Sequence, residues 1–337
     1  MNKLIPAVLA AAAVSVSAAP TPDNFYRGDS VTAEKVSFQN LYRMEVVGNL
    51  YRPKSAAPDA KLPAIIVSHP MGAVKEQSAN LYAQKMAERG FVTLSIDLSF
   101  WGESAGEPRN AVLPDVYAED FSAAADFLGK RAGVDRTRLG VIGICGSGGF
   151  ALSAAKIDPR LKAVATVSMY DMGEAVRSGL GHSVGLEARR AFIAEAAQAR
   201  QDEADGRPVK YTSGTVHEIT EKSTDIEKEF YSFYRMPRGE FTPAGASKLT
   251  TTHPTLSSFS KFINFYPFSD LNLMSPRAVL FIAGDQAHSL EFSREAYRLA
   301  AEPKELLLIP GAGHVDLYDR TDLIPFEKID AFFRRHL

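Results

Sequence analysis

The chain has 337 residues, of which 45% are hydrophobic and 23% are charged, values typical of a soluble globular protein with a full core. Its 38 basic and 40 acidic residues leave a formal net charge of −2, so no broad attraction to nucleic acid or to an anionic membrane is expected. No basic tract or aromatic–basic repeat occurs either, which argues further against a nucleic-acid-binding protein.

The N-terminus has the pattern of a secretory signal peptide. Lys3 supplies a positive start, residues 4–16 form an apolar run, and Val16-Ser17-Ala18 fits the small-x-small cleavage rule. The run is shorter than the ~20 residues that a membrane-spanning helix needs, so a membrane anchor is the less favoured interpretation. We therefore predict a signal peptide over residues 1–18 and a mature protein that is secreted or periplasmic.

Strand and helix patterns then follow in chain order. Lys35–Gln39 and Met44–Tyr51 are β-rich and indicate an antiparallel opening. After them, short apolar runs that predict buried strands alternate with amphipathic runs that predict helices. The strand segments are PAIIVSHP, FVTLSID, RLGVIGI, LKAVATVS, RAVLFIAG and KELLLIPG. This alternation predicts an α/β fold with a mainly parallel, doubly wound sheet, in which ligands bind at the carboxyl ends of the strands.

The interval from Tyr170 to Leu273 interrupts the alternation. An interval of ~100 residues is too long for a bare loop between two core strands. It contains two helical patterns, the second of which breaks at Pro237, and many aromatic residues. We predict a helical cap, inserted over the active edge of the sheet, whose aromatic side chains mostly pack within the cap. The predicted organisation is a signal peptide (1–18), a first part of the core (19–170), the cap (171–273) and a second part of the core (274–337).

A glycine-rich stretch, GVIGICGSGGFAL, holds the single cysteine of the chain, Cys145, and Ser147 two residues later. A sharp strand-to-helix turn that presents a nucleophile needs small residues two positions before it and two or three after it. With Cys145 at the apex this rule is met, and the apolar strand Leu139–Ile144 ends directly at the nucleophile. With Ser147 at the apex the strand has to continue through Cys145, so Cys145 is favoured and Ser147 remains the alternative. The helix N-terminus is expected to lower the pKa of such a thiol.

The partners of the nucleophile are sought on later loops, because the nucleophile-elbow architecture has the chain order nucleophile, acid, histidine. Asp285 follows the strand AVLFIAG, and His314 follows the strand ELLLIPG. The residue types of Asp285 and His314, their order along the chain and their positions after strands agree with an acid and a base at the carboxyl ends of strands. His288 is the alternative base, and Asp171, which also follows a strand, is the alternative acid.

An oxyanion hole requires two backbone N–H donors near the nucleophile. Gly146 follows Cys145 and is expected to provide the first. The loop after AIIVS is expected to provide the second, and Met71 is the candidate because Pro70 lacks an N–H. Further side chains expected in or near the site are His69 (which either contacts substrate or orients its loop), Ser147, Trp101 and Tyr170.

Nucleotide and metal sites are not indicated. The sequence contains no G-x-x-x-x-G-K-[ST] motif, GICGSGG is not G-x-G-x-x-G, and no H-E-x-x-H or paired-cysteine motif suggests zinc. We therefore predict neither a cofactor nor a metal.

These residues resemble the α/β-hydrolase superfamily. Within it, GICGSGG is similar to the G-x-C-x-G-G turn of dienelactone hydrolases, and the run from HPMGAVKEQ to SAGEPR resembles the start of the same group. The resemblance implies Cys145 as nucleophile, Asp285 as acid and His314 as base. The long cap, the predicted export, and Ser147 in place of the first paired glycine depart from that pattern.

The sequence thus predicts an exported α/β hydrolase that cleaves an ester, lactone or thioester of a small-molecule acyl substrate. The predicted means are a Cys-His-Asp triad and an acyl-enzyme intermediate. Two alternatives remain open: acyl transfer or lyase chemistry by the same thiol, and a non-catalytic binding protein on the same fold.

Overall fold

The computed structural model describes residues 23–337, so the predicted signal peptide lies outside the described residues. Within the described part of the chain, eight strands form one sheet. They are β1 (Val31–Gln39), β2 (Glu45–Pro53), β3 (Leu62–Ser68), β4 (Val92–Ile96), β5 (Val134–Ile144), β6 (Leu161–Val167), β7 (Ala278–Gly284) and β8 (Lys304–Ile309).

The strand order is β1-β2-β4-β3-β5-β6-β7-β8. β2 pairs antiparallel with both β1 and β4, as the β-rich opening predicts, and every pairing from β4 to β8 is parallel. The parallel strands are rich in branched apolar residues. Every residue of β4 and β7 is buried, and so are most residues of β3 and β6. Burial on both faces is expected when helices cover both sides of a parallel sheet.

Helices occupy the connections between the strands. They are α1 (Ala79–Glu88), α2 (Pro114–Lys130), α3 (Ser147–Ile157), α4 (Met172–Ser178), α5 (Leu186–Ala204), α6 (Asp225–Tyr234), α7 (Leu256–Phe259), α8 (Leu290–Leu299), α9 (Asp316–Asp319) and α10 (Phe326–His336). The arrangement is the α/β-hydrolase fold, and this prediction is confirmed. No helix within residues 23–337 has both the length and the apolar character needed to cross a bilayer.

The segment between β6 and β7 contains α4 to α7 and three short 3-10 helices, at Leu180–His182, Ser260–Asn264 and Leu271–Met274. We call residues 171–273 the cap, with the bounds expected from the sequence. α6 starts with a capping box formed by Thr224 and Glu227 and ends at Tyr234, just before Pro237.

The cap is fastened to the core by polar contacts beside the carboxyl ends of the strands. Arg238 donates from Nε and Nη2 to the buried carboxylate of Asp319, at 2.8 and 2.7 Å. Gln77 donates from Nε2 to the main-chain oxygen of Gly239 at 2.8 Å, and Asn110 donates to that of Thr250 at 2.8 Å. These contacts hold the cap over the loops where the candidate residues lie.

Candidate active site

Cys145 lies at the apex of a sharp turn between β5 and α3. Its backbone has φ 55°, in the left-handed region that residues other than glycine rarely adopt. A Cβ at Gly143 would lie 2.3 Å from the main-chain oxygen of Ser147, and a Cβ at Gly146 would lie 2.7 Å from the Cβ of Met71. The two glycines are therefore required for the turn to close, and the turn presents the thiol at the start of a helix.

Ser147 points away from the apex. Its side chain is fully buried, and its hydroxyl donates to the main-chain oxygen of His69 at 2.5 Å and lies 3.1 Å from the hydroxyl of Ser68. The expectation that Ser147 lines the site is wrong, because the first turn of α3 directs its side chain toward the end of β3. The same orientation disfavours Ser147 as the nucleophile.

A cavity of about 250 Å³ opens beside Cys145, between the sheet edge and the cap. Met71, the residue suggested for the oxyanion hole, and Tyr170, which was expected to line the site, form part of its wall on the core side. The cap side is formed by residues 212–216, by aromatic and apolar residues and by Glu227. The residues that line it are Met71, Cys145, Tyr170, Met172, Thr212, Ser213, Gly214, Thr215, Val216, Glu227, Phe230, Tyr234, Thr252, Pro254 and Phe259.

Two backbone N–H groups lie close enough to the sulfur of Cys145 to lower the pKa of the thiol. They belong to Gly146 and Met71, the two residues that the sequence suggests for an oxyanion hole. The preformed pair of donors can stabilise negative charge that develops at an atom close to the sulfur.

His69 orients the loop that carries Met71. Its ring is fully buried, with Nδ1 2.8 Å from the main-chain oxygen of Pro70 and Nε2 3.1 Å from the N–H of Leu98. These partners imply a neutral ring with the proton on Nδ1, and burial lowers the pKa of His69. Of the two roles considered, loop orientation fits these contacts. His69 does not line the cavity.

Trp101 lies away from the thiol. Its indole N–H donates to the hydroxyl of Tyr117 at 2.9 Å, and the residue lines a separate cavity of about 490 Å³ on the other side of the loop that carries Gly72. The expectation that Trp101 lines the site next to Cys145 is therefore wrong. The hydrogen bond to Tyr117 fixes the indole in the core, because a buried indole N–H requires an acceptor.

His314 is fully buried after β8 and bonds to two hydroxyl groups. Its Nε2 lies 2.8 Å from the hydroxyl of Tyr318, and its Nδ1 lies 2.6 Å from the hydroxyl of Ser289. Burial, followed by the proximity of His288, lowers the pKa of His314 well below its usual value. The resting imidazole is therefore neutral at physiological pH.

Asp285 does not contact His314. It is exposed, and its Oδ1 accepts hydrogen bonds from the N–H of Gly311 at 2.8 Å and from Gln286 at 3.0 Å. The predicted role of Asp285 as the acid is thus not supported, because the carboxylate closes the neighbouring loop after β8. Asp171, the alternative acid, caps α4 by accepting from the N–H of Glu174 at 2.8 Å.

The position expected for an acid is taken by Ser289, four residues after Asp285. Sequence reasoning missed it because a serine carries no charge and the triad pattern calls for a carboxylate. Tyr318 was missed as well. The available signal was its place four residues after His314, a spacing at which side chains share a face where the chain is helical, and Tyr318 lies in the short helix α9.

Tyr318 stands between His314 and the thiol. Its hydroxyl lies 2.8 Å from Nε2 of His314, and Tyr318 is close enough to Cys145 and to Tyr234 to lower the pKa of both groups. Burial raises the pKa of Tyr318 well above its usual value, so the phenol is neutral. In the resting structure this hydroxyl bonds to the imidazole and lies near the thiol.

The pKa of Cys145 is raised, against the expectation from its position at a helix N-terminus. Burial is the largest cause, and it outweighs the hydrogen bonds from Tyr318, Gly146 and Met71, which lower the pKa of the thiol. The expectation was wrong because it counted the helix N-terminus but not the cap that buries the sulfur. The resting pair is a thiol and a neutral imidazole.

A second histidine and a cap carboxylate lie beside His314. The ring of His288 stacks on that of His314 with a centroid distance of 4.6 Å. Nδ1 of His288 lies 2.9 Å from Oε2 of Glu229, which projects from α6 of the cap. No pattern in the sequence places Glu229 here, since it is separated from His314 by 85 positions along the chain. His288 was the alternative base, and the structure places its ring directly against that of His314, the expected base.

The profile of the PETase family, described as PET hydrolase-like, matches residues 12–182. The uncharacterized protein PA2218 of Pseudomonas aeruginosa is 46% identical over 307 residues, covering 91% of this chain and 81% of that protein. The uncharacterized protein YcjY of Escherichia coli is 33% identical over 291 residues, covering 85% of this chain and 92% of its own. A thiohydrolase of Eupenicillium brefeldianum is 24% identical over 307 residues, covering 89% and 93% of the two chains.

Solved structures show the same fold. The crystal structure of PA2218 superposes with a TM-score of 0.87 at 44% identity, covering 94% of this chain and 97% of that one. The α/β hydrolase GrgF from Penicillium sp. sh18 superposes with a TM-score of 0.73 at 20% identity, covering 90% and 99%. At that lower identity the likeness concerns the fold.

Proposed function

This chain belongs to the PET hydrolase-like family and is a hydrolase of the α/β type, and we propose that it cleaves an ester or thioester bond with Cys145 as nucleophile and His314 as base. The observation that supports this most directly is the position of the Cys145 thiol. It lies at a strained strand-to-helix apex, next to two inward N–H donors and near the hydroxyl of Tyr318, which bonds to a buried neutral imidazole. These are the parts that nucleophilic acyl chemistry requires.

Activation of the thiol moves one proton. The Cys145 proton passes to the oxygen of Tyr318 while the hydroxyl proton of Tyr318 passes to Nε2 of His314. The resulting imidazolium keeps its Nδ1 proton on the hydroxyl of Ser289. The thiolate electron pair then forms a bond to the substrate carbonyl carbon, and the carbonyl electron pair moves to oxygen, where the N–H groups of Gly146 and Met71 stabilise it.

Collapse of this intermediate breaks the bond to the leaving group. The leaving group takes the proton from His314 and departs as an alcohol or thiol, and an acyl group remains on Cys145. Water then enters, gives a proton to His314, and attacks the acyl carbonyl in the same oxyanion hole. The second collapse releases the carboxylic acid and returns the proton to the cysteine sulfur.

The cavity supports an uncharged, moderately apolar acyl group as substrate. Its wall combines Phe230, Phe259, Met172 and Pro254 with a short run of backbone, and among residues 23–337 the lining includes no lysine or arginine. A volume of about 250 Å³ suits a small acyl group. The likeness to a protein named thiohydrolase supports a thioester in particular. The likeness of the turn to dienelactone hydrolases supports the chemistry of the thiol, whereas a lining without a cation gives little support to an anionic lactone.

We further propose that the enzyme acts in the periplasm or outside the cell, as the signal-peptide pattern of residues 1–18 suggests. The measurement is the N-terminal sequence of the protein recovered from a fractionated culture. Cleavage near Ala19 in the exported fraction is expected, and an uncleaved chain confined to the cytoplasm would contradict export.

The catalytic proposal is tested by trapping the acyl-enzyme. The wild-type protein, Cys145→Ala and Ser147→Ala are mixed with short-chain p-nitrophenyl esters and acyl thioesters, and each protein is weighed by intact mass spectrometry within the first turnover. An acyl adduct is expected on wild type and Ser147→Ala and not on Cys145→Ala. Turnover in ¹⁸O-labelled water is expected to place one labelled oxygen in the acid product. Full activity in Cys145→Ala would sink the proposal, and product without labelled oxygen would indicate acyl transfer to another acceptor.

A further inference from the structure

We propose that Glu229, which the cap contributes, is a positioning residue for His314 and supplies the negative charge that the core does not place there. The inference rests on the proposed function, because it takes His314 to be the base that activates Cys145. Among residues 23–337, the hydrogen-bond partners of the His314 ring are the hydroxyls of Ser289 and Tyr318, and Asp285 faces solvent. A buried imidazolium without a nearby carboxylate is costly to form.

The first contact of Glu229 fixes the loop that carries the base. Its Oε1 accepts from the N–H of Val315, the residue after His314, at 3.0 Å. The approach is close, since a Cβ at Gly313 would lie 2.7 Å from the same oxygen. Glycine before the base therefore lets a cap side chain lie directly on the loop.

The second contact joins the carboxylate to the face of the base. Oε2 lies 2.9 Å from Nδ1 of His288, whose ring stacks on His314 with an interplanar angle of 30°. Nε2 of His288 is buried and has no hydrogen-bond partner among the described residues. Phe230, next to Glu229 on α6, packs edge-on against both histidine rings, each with a centroid distance of 5.4 Å. The aromatic contact covers one side of the two rings, and the side chain of His288 is mostly buried, which reduces the screening of the charge by solvent.

The charge state of Glu229 fits this role. Burial by itself would raise the pKa of Glu229, but the hydrogen bonds from His288 and from the N–H of Val315 outweigh it, and the pKa lies below its usual value. The carboxylate is therefore negative at neutral pH. The titratable groups that face His314 are Cys145, Tyr170, His288, Tyr318 and, beyond His288, Glu229, and Asp316 shares the loop at Gly313.

This arrangement makes the cap part of the catalytic apparatus. The base acquires its supporting carboxylate only where α6 is docked on the core. Glu229 touches neither the thiol nor the cavity wall, so it acts through His288 and the backbone of the His314 loop. Its removal is expected to change kcat and its pH dependence more than substrate binding.

The variant Glu229→Gln removes the charge and keeps the length and a hydrogen-bond acceptor for Val315. We expect kcat to fall about tenfold to a hundredfold and KM to stay within about threefold. The ascending limb of kcat/KM against pH should move to lower pH, because loss of the negative charge lowers the pKa of the base. The matched control is Asp225→Asn, on the same helix, whose side chain is exposed and paired only with Lys228. Its kinetic constants should match wild type.

The pair Glu229→Asp and Glu229→Asn extends the test should Glu229→Gln fail to fold. The two side chains have equal length and differ in charge. The Asp variant should keep the ascending limb at the wild-type pH with an intermediate kcat, and the Asn variant should shift the limb. Circular dichroism and thermal melting establish that each compared variant is folded.

Two results would overturn the inference. One is an ascending limb of kcat/KM against pH that stays at the wild-type pH in every folded variant without the Glu229 charge. The other is a loss of kcat in Asp225→Asn as large as that in Glu229→Gln. Cys145→Ala in the same assay separates this failure from that of the proposed function. Activity that survives in Cys145→Ala removes the catalytic proposal itself, whereas loss there with normal Glu229→Gln kinetics removes only the role of Glu229.

Discussion

The hydroxyl of Ser147 bonds to the main-chain oxygen of His69 at 2.5 Å and thereby ties the start of α3 to the end of β3. The nucleophile turn and the loop that carries Met71 meet at this contact. One buried serine thus fixes the position of the Gly146 turn relative to the loop that carries Met71.

The first prediction separates the two residues of the turn. Cys145→Ala should abolish acyl-enzyme formation, whereas Ser147→Ala should retain it. Ser147→Ala leaves the oxygen of His69 without its partner, so we expect a loss of unfolding free energy of about 1–2 kcal/mol. Denaturant unfolding measures the stability and intact mass measures the adduct. A stable Ser147→Ala protein that forms no adduct would contradict this assignment.

The second prediction concerns Tyr318. Tyr318→Phe removes the hydroxyl between the thiol and Nε2 of His314, so kcat/KM should fall about tenfold to a hundredfold. In mixtures of H₂O and D₂O, the wild-type rate should depend on more than one transferred proton and the variant rate on fewer. An increase in kcat/KM would mean that the hydroxyl obstructs a direct thiol–imidazole contact, and would exclude the relay.

The third prediction distinguishes Ser289 from Asp285. Ser289→Ala removes the acceptor on Nδ1 of His314 and should lower kcat about tenfold or more, because the ring loses its orientation. Asp285→Asn changes an exposed side chain that can still accept from Gly311, so kcat should stay within about threefold of wild type. Steady-state kinetics on one p-nitrophenyl ester suffice. The reverse order of effects would restore Asp285 as the acid.

The fourth prediction is a pH dependence. Only the thiolate reacts with iodoacetamide, and burial raises the pKa of Cys145 above its ordinary value. Alkylation of the resting enzyme should therefore be slower at pH 7 than that of N-acetylcysteine and should rise about tenfold per pH unit below the thiol pKa. Rapid alkylation with a plateau below pH 7 would show a preformed thiolate–imidazolium pair.

The fifth prediction concerns the attachment of the cap. Arg238→Met leaves the buried carboxylate of Asp319 without its ion-pair partner, so the free energy of unfolding should fall by about 2–4 kcal/mol. The control is Arg298→Met, which breaks an exposed pair with Glu295 on α8 and should leave the denaturation midpoint close to that of wild type. Equal losses in the two variants would deny Arg238 a special role in holding the cap.

Local patterns in the sequence were sufficient for most of the sheet. The apolar runs that predict strands lie in β3 to β8, and the helix predicted before Pro237 ends at Tyr234. Buried parallel strands are visible as short apolar runs, and a proline that follows a helical pattern cannot continue the helix. Met71, Gly146 and Tyr170 could be placed because each follows directly from a strand end.

The contacts of His314 could not be predicted in this way. Ser289 and Tyr318 reach the ring through the course of the loops after β7 and β8, and Glu229 reaches it from a helix on another part of the chain. Asp285 satisfied the pattern of type and order but turns outward to Gly311. Side-chain direction within a loop depends on its backbone path, which spacing along the chain does not specify.

The sequence by itself determined the mainly parallel, doubly wound sheet and the turn with Cys145, because strand periodicity and the steric need for small residues are local properties of the chain. The tertiary structure decided which groups surround the base and whether the thiol is charged. Those properties depend on burial beneath the cap and on contacts between distant segments. The packing of distant segments places the hydroxyl of Ser289, and not the expected carboxylate, next to His314. Burial raises the pKa of the Cys145 thiol, which the helix N-terminus alone would have lowered.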